Sequence, residues 1–386
     1  MNKKATVMII FITLIYLVNN LAHPVTPELV SSIGHGSLLL GALFATMSFA
    51  NFVMSPFWGR ISDRIGRKPC IIIGCLGYGL AQLGFGFSIN PWIIIIFRLI
   101  SGSFVASSYV SSMAYLIDVS EPKARTQVMA LYTALTGFSS TIGYLIGGVI
   151  GNQDYHQAFM FQSIMSILTG VLILIFLKES NKEVKVRVRS NFWKDILQYR
   201  DSLVPLLLLI TMITSFFSTG FNNGFNSYMK FILDLSPKFI GIIMAVTGLI
   251  GLIMNIVIFP IIKRKYNDYN VLIISIIFIS LSLSLAMYFE SKNMIFTILI
   301  LVIFFAFHAL YKPILQSIIS KYGHAHGEIM GLNNGFMALG NVGGSFYAGA
   351  VFALSTGFTF YSLAFILVIA LILLFLKRKQ FAQYGW

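Results

Sequence analysis

"GRISDRIGRKP", Gly59 to Pro69, is a short basic stretch between two apolar runs, residues 36–58 and 69–88. Four cations, Arg60, Arg64, Arg67 and Lys68, are interleaved with one carboxylate, Asp63, and two glycines, Gly59 and Gly66. Holding one end of a helix pair in the cytoplasm needs only the cations. The glycines add a tight loop and close helix approach, and Asp63 can face a helix N-terminus. The stretch therefore predicts two membrane helices joined by a short, specifically built cytoplasmic connection.

The rest of the chain agrees with a membrane setting. Of 386 residues, 57% are AVILMFWYC and only 10% are DEKR, against roughly 25% charged in a soluble globular protein. So few charges cannot clothe a soluble body of this size, and a mean hydropathy of +0.83 points to apolar area facing lipid. Soluble enzymes are excluded. Cys70 and Cys75 lie five residues apart in one apolar run with Gly74 and Gly77, which reads as helix filler rather than a disulfide or metal framework.

A helix crossing a hydrocarbon core of ~30 Å needs roughly 20 mostly apolar residues. Twelve such stretches are predicted, near residues 5–28, 36–58, 69–88, 91–117, 125–150, 157–177, 203–231, 237–262, 270–289, 293–319, 327–353 and 356–376. Helices are expected because they satisfy the backbone within each segment. The first run continues to about Leu21 without a small-residue cleavage site, so it is expected to be a retained span. With the N-terminus inside, all but five of the 27 Lys and Arg fall in cytoplasmic gaps or tails. Lys230, Lys238 and Lys292 lie outside, and Arg98 and Lys312 fall within spans. The net charge of +14 is thus explained by the positive-inside rule, not by nucleic acid, and both termini are expected in the cytoplasm.

The longest hydrophilic stretch divides the chain near its middle. The expected organisation is a six-helix bundle over 1–177, a linker over 178–202 and a second bundle with a short tail over 203–386. Phe192, Trp193, Ile196 and Leu197 beside Lys194 and Arg200 predict an interfacial helix in that linker. The halves resemble one another at an offset of about 200 residues: Met129, Leu131, Gly143 and Gly148 fall opposite Met330, Leu332, Gly344 and Gly349. Such duplication is what secondary transporters use to alternate access around a midplane site.

At this point the chain resembles the major facilitator superfamily. Gly59, Asp63, Arg64, Gly66, Arg67 and Lys68 match the loop pattern G-x-x-x-D-R-x-G-R-K/R, and Asp118 fits the family position whose carboxylate pairs with the second arginine, here Arg67. The resemblance implies a conformational latch made of these seven residues. Arg98 and Gly102 resemble the second motif, R-x-x-x-G. An arginine at that depth is costly on insertion scales and should face a polar cavity. Gly143, Gly147 and Gly148 resemble the third, antiporter-type motif as a helix-packing face, with Tyr144 where the pattern has proline. The resemblance spans essentially the whole chain and is nearest to the twelve-helix drug:proton antiporters of Gram-positive bacteria. It implies an all-α polytopic fold of two pseudo-symmetric six-helix bundles.

Polar residues within the spans mark a candidate cavity. Tyr16, Asn19 and His23 share a helical face, with Asn20 beside them; Asn51, Arg98, Asn222, Asn226, His308, Asn334 and Asn341 lie on other helices that line the cavity in this family. Aromatics such as Phe221, Phe225 and Phe304 would offer broad faces to lipophilic ligands. No Asp or Glu lies deep in a span. Proton coupling is therefore assigned to His308 and His23, with Arg98 as a neighbouring fixed charge, because imidazole titrates in the physiological range.

The expected function is export of small lipophilic or amphipathic compounds across the plasma membrane in exchange for protons, by a monomer. No P-loop, Ser/His/Asp set or zinc pair is evident, so no cofactor, metal or enzymatic role is expected. Small-molecule substrate, protons and the lipid bilayer are the expected partners. A facilitator or flippase without proton coupling is the alternative, and a membrane receptor or sensor the distant one.

Overall fold

The computed structural model describes residues 3–121, 125–180, 199, 202–320, 326–378 and 380. The expected interfacial helix, with Phe192, Trp193, Ile196 and Leu197, lies outside the described residues. Among those described, the secondary structure is helical throughout: α1 Lys3–Asn20, α2 Thr26–Ser32, α3 Ser37–Ile65, α4 Arg67–Phe87, α5 Pro91–Val119, α6 Arg125–Ile150, α7 Tyr155–Phe176, α8 Val204–Ser227, α9 Pro237–Ile253, α10 Phe259–Lys263, α11 Asp268–Phe289, α12 Met294–Ser320, α13 His326–Leu354 and α14 Thr356–Leu376. Eleven helices are long and apolar enough to cross a membrane.

The twelfth expected span, the first in the chain, is broken. Helix α1 ends at Asn20 and α2 resumes at Thr26, with Pro24 in the turn between. The freed carbonyls do not go unpaired. Gln162 of α7 donates to the carbonyls of Val18 (2.8 Å) and Asn19 (3.2 Å), and the Tyr78 hydroxyl of α4 donates to Asn19 as well (3.2 Å). Buried backbone acceptors in a membrane demand such partners.

A proline also removes one backbone hydrogen bond from α12, which itself stays continuous. Pro313 within α12 lacks the N–H that would bond the carbonyl of Ala309. Asn255, in the π-helical turn Met254–Ile258 after α9, donates to that carbonyl at 3.3 Å and to Gly251 at 2.9 Å. At Pro24 and at Pro313 a side-chain amide from another helix donates to a nearby backbone carbonyl.

The stretch that opens the sequence differs from the expected loop. Helix α3 runs through Gly59 and Asp63 to Ile65, and α4 begins at Arg67. The whole connection is one residue, Gly66, at φ +103°, a conformation that favours glycine.

The chain forms two compact units. One gathers α1–α7 with Asn226–Gly248, the other the helices up to Phe225 and from Leu249 onward. In the first unit α4 packs on α5 and α7; in the second α11 packs on α12 and α14. Each unit places a central helix against the same two partners in chain order, as a duplication predicts.

Candidate functional site

In the first unit the end of α3 and the start of α4 bring together a charged cluster around Arg67, which is only 8% exposed. Its Nη2 lies 2.6 Å from Asp63 Oδ1, its Nε donates to Asp118 Oδ2 at 3.0 Å, and its Nη1 donates to Ser62 Oγ at 2.6 Å. The turn at Gly66 folds Arg67 of α4 back onto Asp63 in the last turn of α3, and Asp118 arrives at the end of α5. Arg64 shares the last turn of α3.

Asp63 does not sit at the N-terminus of α4. Glu179 does, accepting from the backbone N–H of Arg67 and of Lys68 at 3.1 Å each. A Cβ on Gly66 would push this carboxylate aside, and the positive φ itself favours glycine. Lys68 donates to the carbonyl of Leu174 (2.8 Å) and Lys4 to that of Glu179 (3.0 Å). Sequence reasoning missed Glu179; its signal was a carboxylate immediately after an apolar span beside a basic cluster.

Arg98 is 3% exposed and lies over aromatic rings, 4.3 Å from the Phe85 centroid and 5.5 Å from that of Phe44. Its Nε has no hydrogen-bond partner among the described residues. His23 stacks on the same Phe44 and meets Tyr144 edge-on. The fixed charge and the imidazole therefore share one aromatic wall. Nearby, Tyr16 stacks on Tyr109 with centroids 4.4 Å apart and shares a 2.7 Å hydrogen bond with the Tyr132 hydroxyl. Asn20 donates to Ser140 Oγ at 3.0 Å, whereas the Asn19 amide nitrogen is buried without a partner.

The glycines of α6 pack closely. A Cβ on Gly143 would overlap the carbonyl of Leu17 on α1, one on Gly147 that of Leu21 just past the end of α1, and one on Gly148 the Pro237 carbonyl. Small residues let membrane helices approach backbone to backbone, and α6 stays unbroken through Tyr144.

A sequence model of the Major Facilitator Superfamily matches residues 8–345, and again 207–384. The chain belongs to the major facilitator superfamily. Among relatives of this superfamily member, Multidrug resistance protein 2 of Bacillus subtilis is 24% identical, covering 96% of this chain and 94% of its own. Quinolone resistance protein NorA of Staphylococcus aureus is 23% identical over 91% and 90%. Two solved structures share the fold: a bacterial homolog to the human lysosomal transporter Spinster (TM-score 0.81, 12% identity, 99% and 98% covered) and a D-xylose-proton symporter (TM-score 0.77, 16% identity, 96% of each covered).

In the second unit of this transporter, His308 lies 3.2 Å from Ser218 Oγ and is stacked on Phe304, with Phe217, Phe221 and Tyr311 around it. Thr219 donates to Asn341 Oδ1 at 2.7 Å. Asn226, which falls in the first unit, is buried with its Oδ1 unpartnered among the described residues, while Asn222 and Asn334 of the second unit are exposed. Asn51 bonds only within its own helix, accepting from Ser55 at 3.1 Å. The buried amide is the neighbouring Asn333 on α13, in a small cavity of mixed lining that also includes Lys312, a residue whose mid-span charge was the signal.

One further site was not anticipated. A pocket of about 430 Å³ in the first unit is lined by Glu28, Asp154, His156, Lys230 and Asp234 among others. Lys230 pairs with Glu28 at 2.8 Å and with Asp234 at 3.1 Å. Hydrogen bonds from His156 hold the Asp154 carboxyl below its usual range.

Proposed function

We propose that this transporter exports small lipophilic or amphipathic compounds from the cytoplasm across the plasma membrane in exchange for protons. The likeness to drug- and quinolone-resistance proteins over nine-tenths of both chains is the observation that carries this reading. The aromatic walls around Arg98 and His308 support it, because they suit flat apolar ligands that also carry a polar group. Arg67, held by Asp63 and Asp118 at the cytoplasmic ends of α3–α5, acts as the latch: a three-way ionic contact that is made in one conformation and broken in the other.

Uptake of several dyes and antibiotics into inverted vesicles, with and without an imposed pH gradient, tests export and coupling together. Gradient-driven accumulation is expected; equal equilibration with and without the gradient would leave a facilitator. That second reading is favoured by one observation, that the described carboxylates all lie near helix ends or between helices. His308→Gln separates the two. Loss of accumulation with exchange retained assigns coupling to His308, whereas unchanged accumulation moves the proton site to Asp63 and Asp118 or removes it.

A further inference from the structure

Lys312 stands 18 residues into the 27-residue helix α12, far from either end for a lysine in a membrane segment. It is nevertheless exposed rather than packed among side chains. The surface it opens onto mixes the apolar faces of Tyr311, Leu315 and Met337 with several polar groups. It belongs to a cavity shared with Thr211, Thr214 and Ser215 of α8, Gln316 one turn further along α12, and Asn333 of α13. Among the described residues no acidic side chain lines this cavity and no ion pair involves Lys312.

A second donor is held ready. Asn333 is 1% exposed, and Thr211 donates to its amide oxygen at 2.9 Å, which fixes the amide plane. The opposite end of that amide, Nδ2, is buried with no partner among the described residues. An unpaired buried donor is costly, so such a group points to a missing acceptor. The enclosed space is about 10 Å³, close to what one water occupies. It can seat a terminal group, not the body of a ligand.

We propose that Lys312 and Asn333 form a subsite for the carboxylate terminus of an anionic amphiphile. The Lys312 ammonium supplies the charge, and Asn333 Nδ2 a positioned hydrogen bond. A cationic terminus would meet Lys312 with no carboxylate to offset it, and an uncharged apolar terminus would leave the amide unpaired. This rests on the export reading above and narrows its substrate class.

The test is binding of dansyl-undecanoate and its methyl ester to the full-length protein in lipid nanodiscs, read by dansyl fluorescence. The wild type should bind the carboxylate roughly 10-fold or more tightly than the ester, as one charge-assisted contact would give. Lys312→Gln should bring the two probes to equal affinity, and Lys312→Arg should keep the preference. The unaltered protein gives a separate readout: acetylation of Lys312 by an amine-reactive ester, mapped by mass spectrometry, should be slowed by the carboxylate and not by its methyl ester. Equal binding of both probes by the wild type, or a preference that survives Lys312→Gln, would overturn the subsite and leave export of amphiphiles standing. Binding of neither probe would sink both.

Discussion

At the start of α4, Arg67 reaches forward to Asp118 at the end of α5 and back to Asp63 in the last turn of α3. At the start of α11, the equivalent place in the second unit, stands an acid, Asp268, which is 5% exposed and faces Ser317 of α12 at 3.4 Å and Lys263 of α10 at 3.6 Å. The scaffold is shared: the start of one helix meets the end of the next. The charges at the two starts are reversed. Elsewhere the units agree more closely. Gly143 lies on the Leu17 carbonyl as Gly344 lies on that of Phe216, and Asn20 bonds Ser140 as Thr219 bonds Asn341. Packing was kept in both halves, while charge was specialised in one.

The strongest way to break this comparison is to remove the central charge from each unit. Arg67→Ala leaves Asp63 and Asp118 facing one another without a cation, and transport should fall roughly 100-fold, the scale of a broken buried ion pair. Asp63→Asn keeps the volume and should give an inserted but nearly inactive protein. Asp268→Asn should cost less than Asp63→Asn, since the Lys263 that Asp268 faces at 3.6 Å is 45% exposed and screened by water. Comparable losses from both units, measured as initial rates in inverted vesicles at equal expression, would end the assignment of the latch to the first unit.

Arg98 is the next largest effect, because the corresponding stretch of α12 is apolar. A desolvated cation over an aromatic ring is worth about 2 kcal/mol or more, so Arg98→Ala should cost at least ~30-fold in transport. Arg98→Lys should recover little, since an ammonium lacks the flat guanidinium face that lies over Phe85. A cysteine at position 98 reacting readily with a water-soluble thiol reagent would mark contact with water during transport. Protection under all transport conditions would place the charge in a purely structural role.

How legible all this was depended on the kind of signal. The spans were legible because length and hydropathy are properties of single segments; eleven of twelve emerged close to their expected bounds. The break in α1 was not, although Pro24 was visible, because its stability depends on Gln162 and Tyr78 from distant helices. Arg67 beside Asp118 could be placed from a motif, but Glu179 over the start of α4 could not, since helix capping across a bundle leaves no periodic trace. Asn333 and Asn334 show the limit most plainly. Adjacent residues on a helix point about 100° apart, and only the packed structure tells that Asn333 is the buried one.

The shared packing predicts equal costs in the two units. Gly147→Ala would drive a methyl group into the Leu21 carbonyl and Gly344→Ala into that of Phe216, neither of which can rotate away. Each should lower stability by about 1–3 kcal/mol, the usual cost of overpacking. Gly137, also in α6, has open space around its Cβ position. Gly137→Ala should therefore stabilise the helix by up to about 1 kcal/mol. Melting temperatures in one detergent would compare all three, and a marked difference between Gly147→Ala and Gly344→Ala would mean that the two helix pairs carry unequal loads.

The smallest effect offers the sharpest test of the duplication. Asn20 and Ser140 in the first unit pair an amide on α1 with a hydroxyl on α6, whereas Thr219 and Asn341 pair a hydroxyl on α8 with an amide on α13. The two bonds join equivalent helices with their groups exchanged. Asn20→Thr alone leaves two hydroxyls too short to span the gap, and Ser140→Asn alone crowds two amides into it. Each should cost about 0.6 kcal/mol, the average for a hydrogen bond between membrane helices. The double variant Asn20→Thr, Ser140→Asn recreates in the first unit the arrangement of the second, and should regain most of both losses. A double-mutant cycle by reversible denaturation in mixed micelles reads this directly as a coupling energy. Additive losses would show that the site around Asn20 tolerates only one orientation of its pair, and that the halves have diverged in backbone spacing as well as in charge.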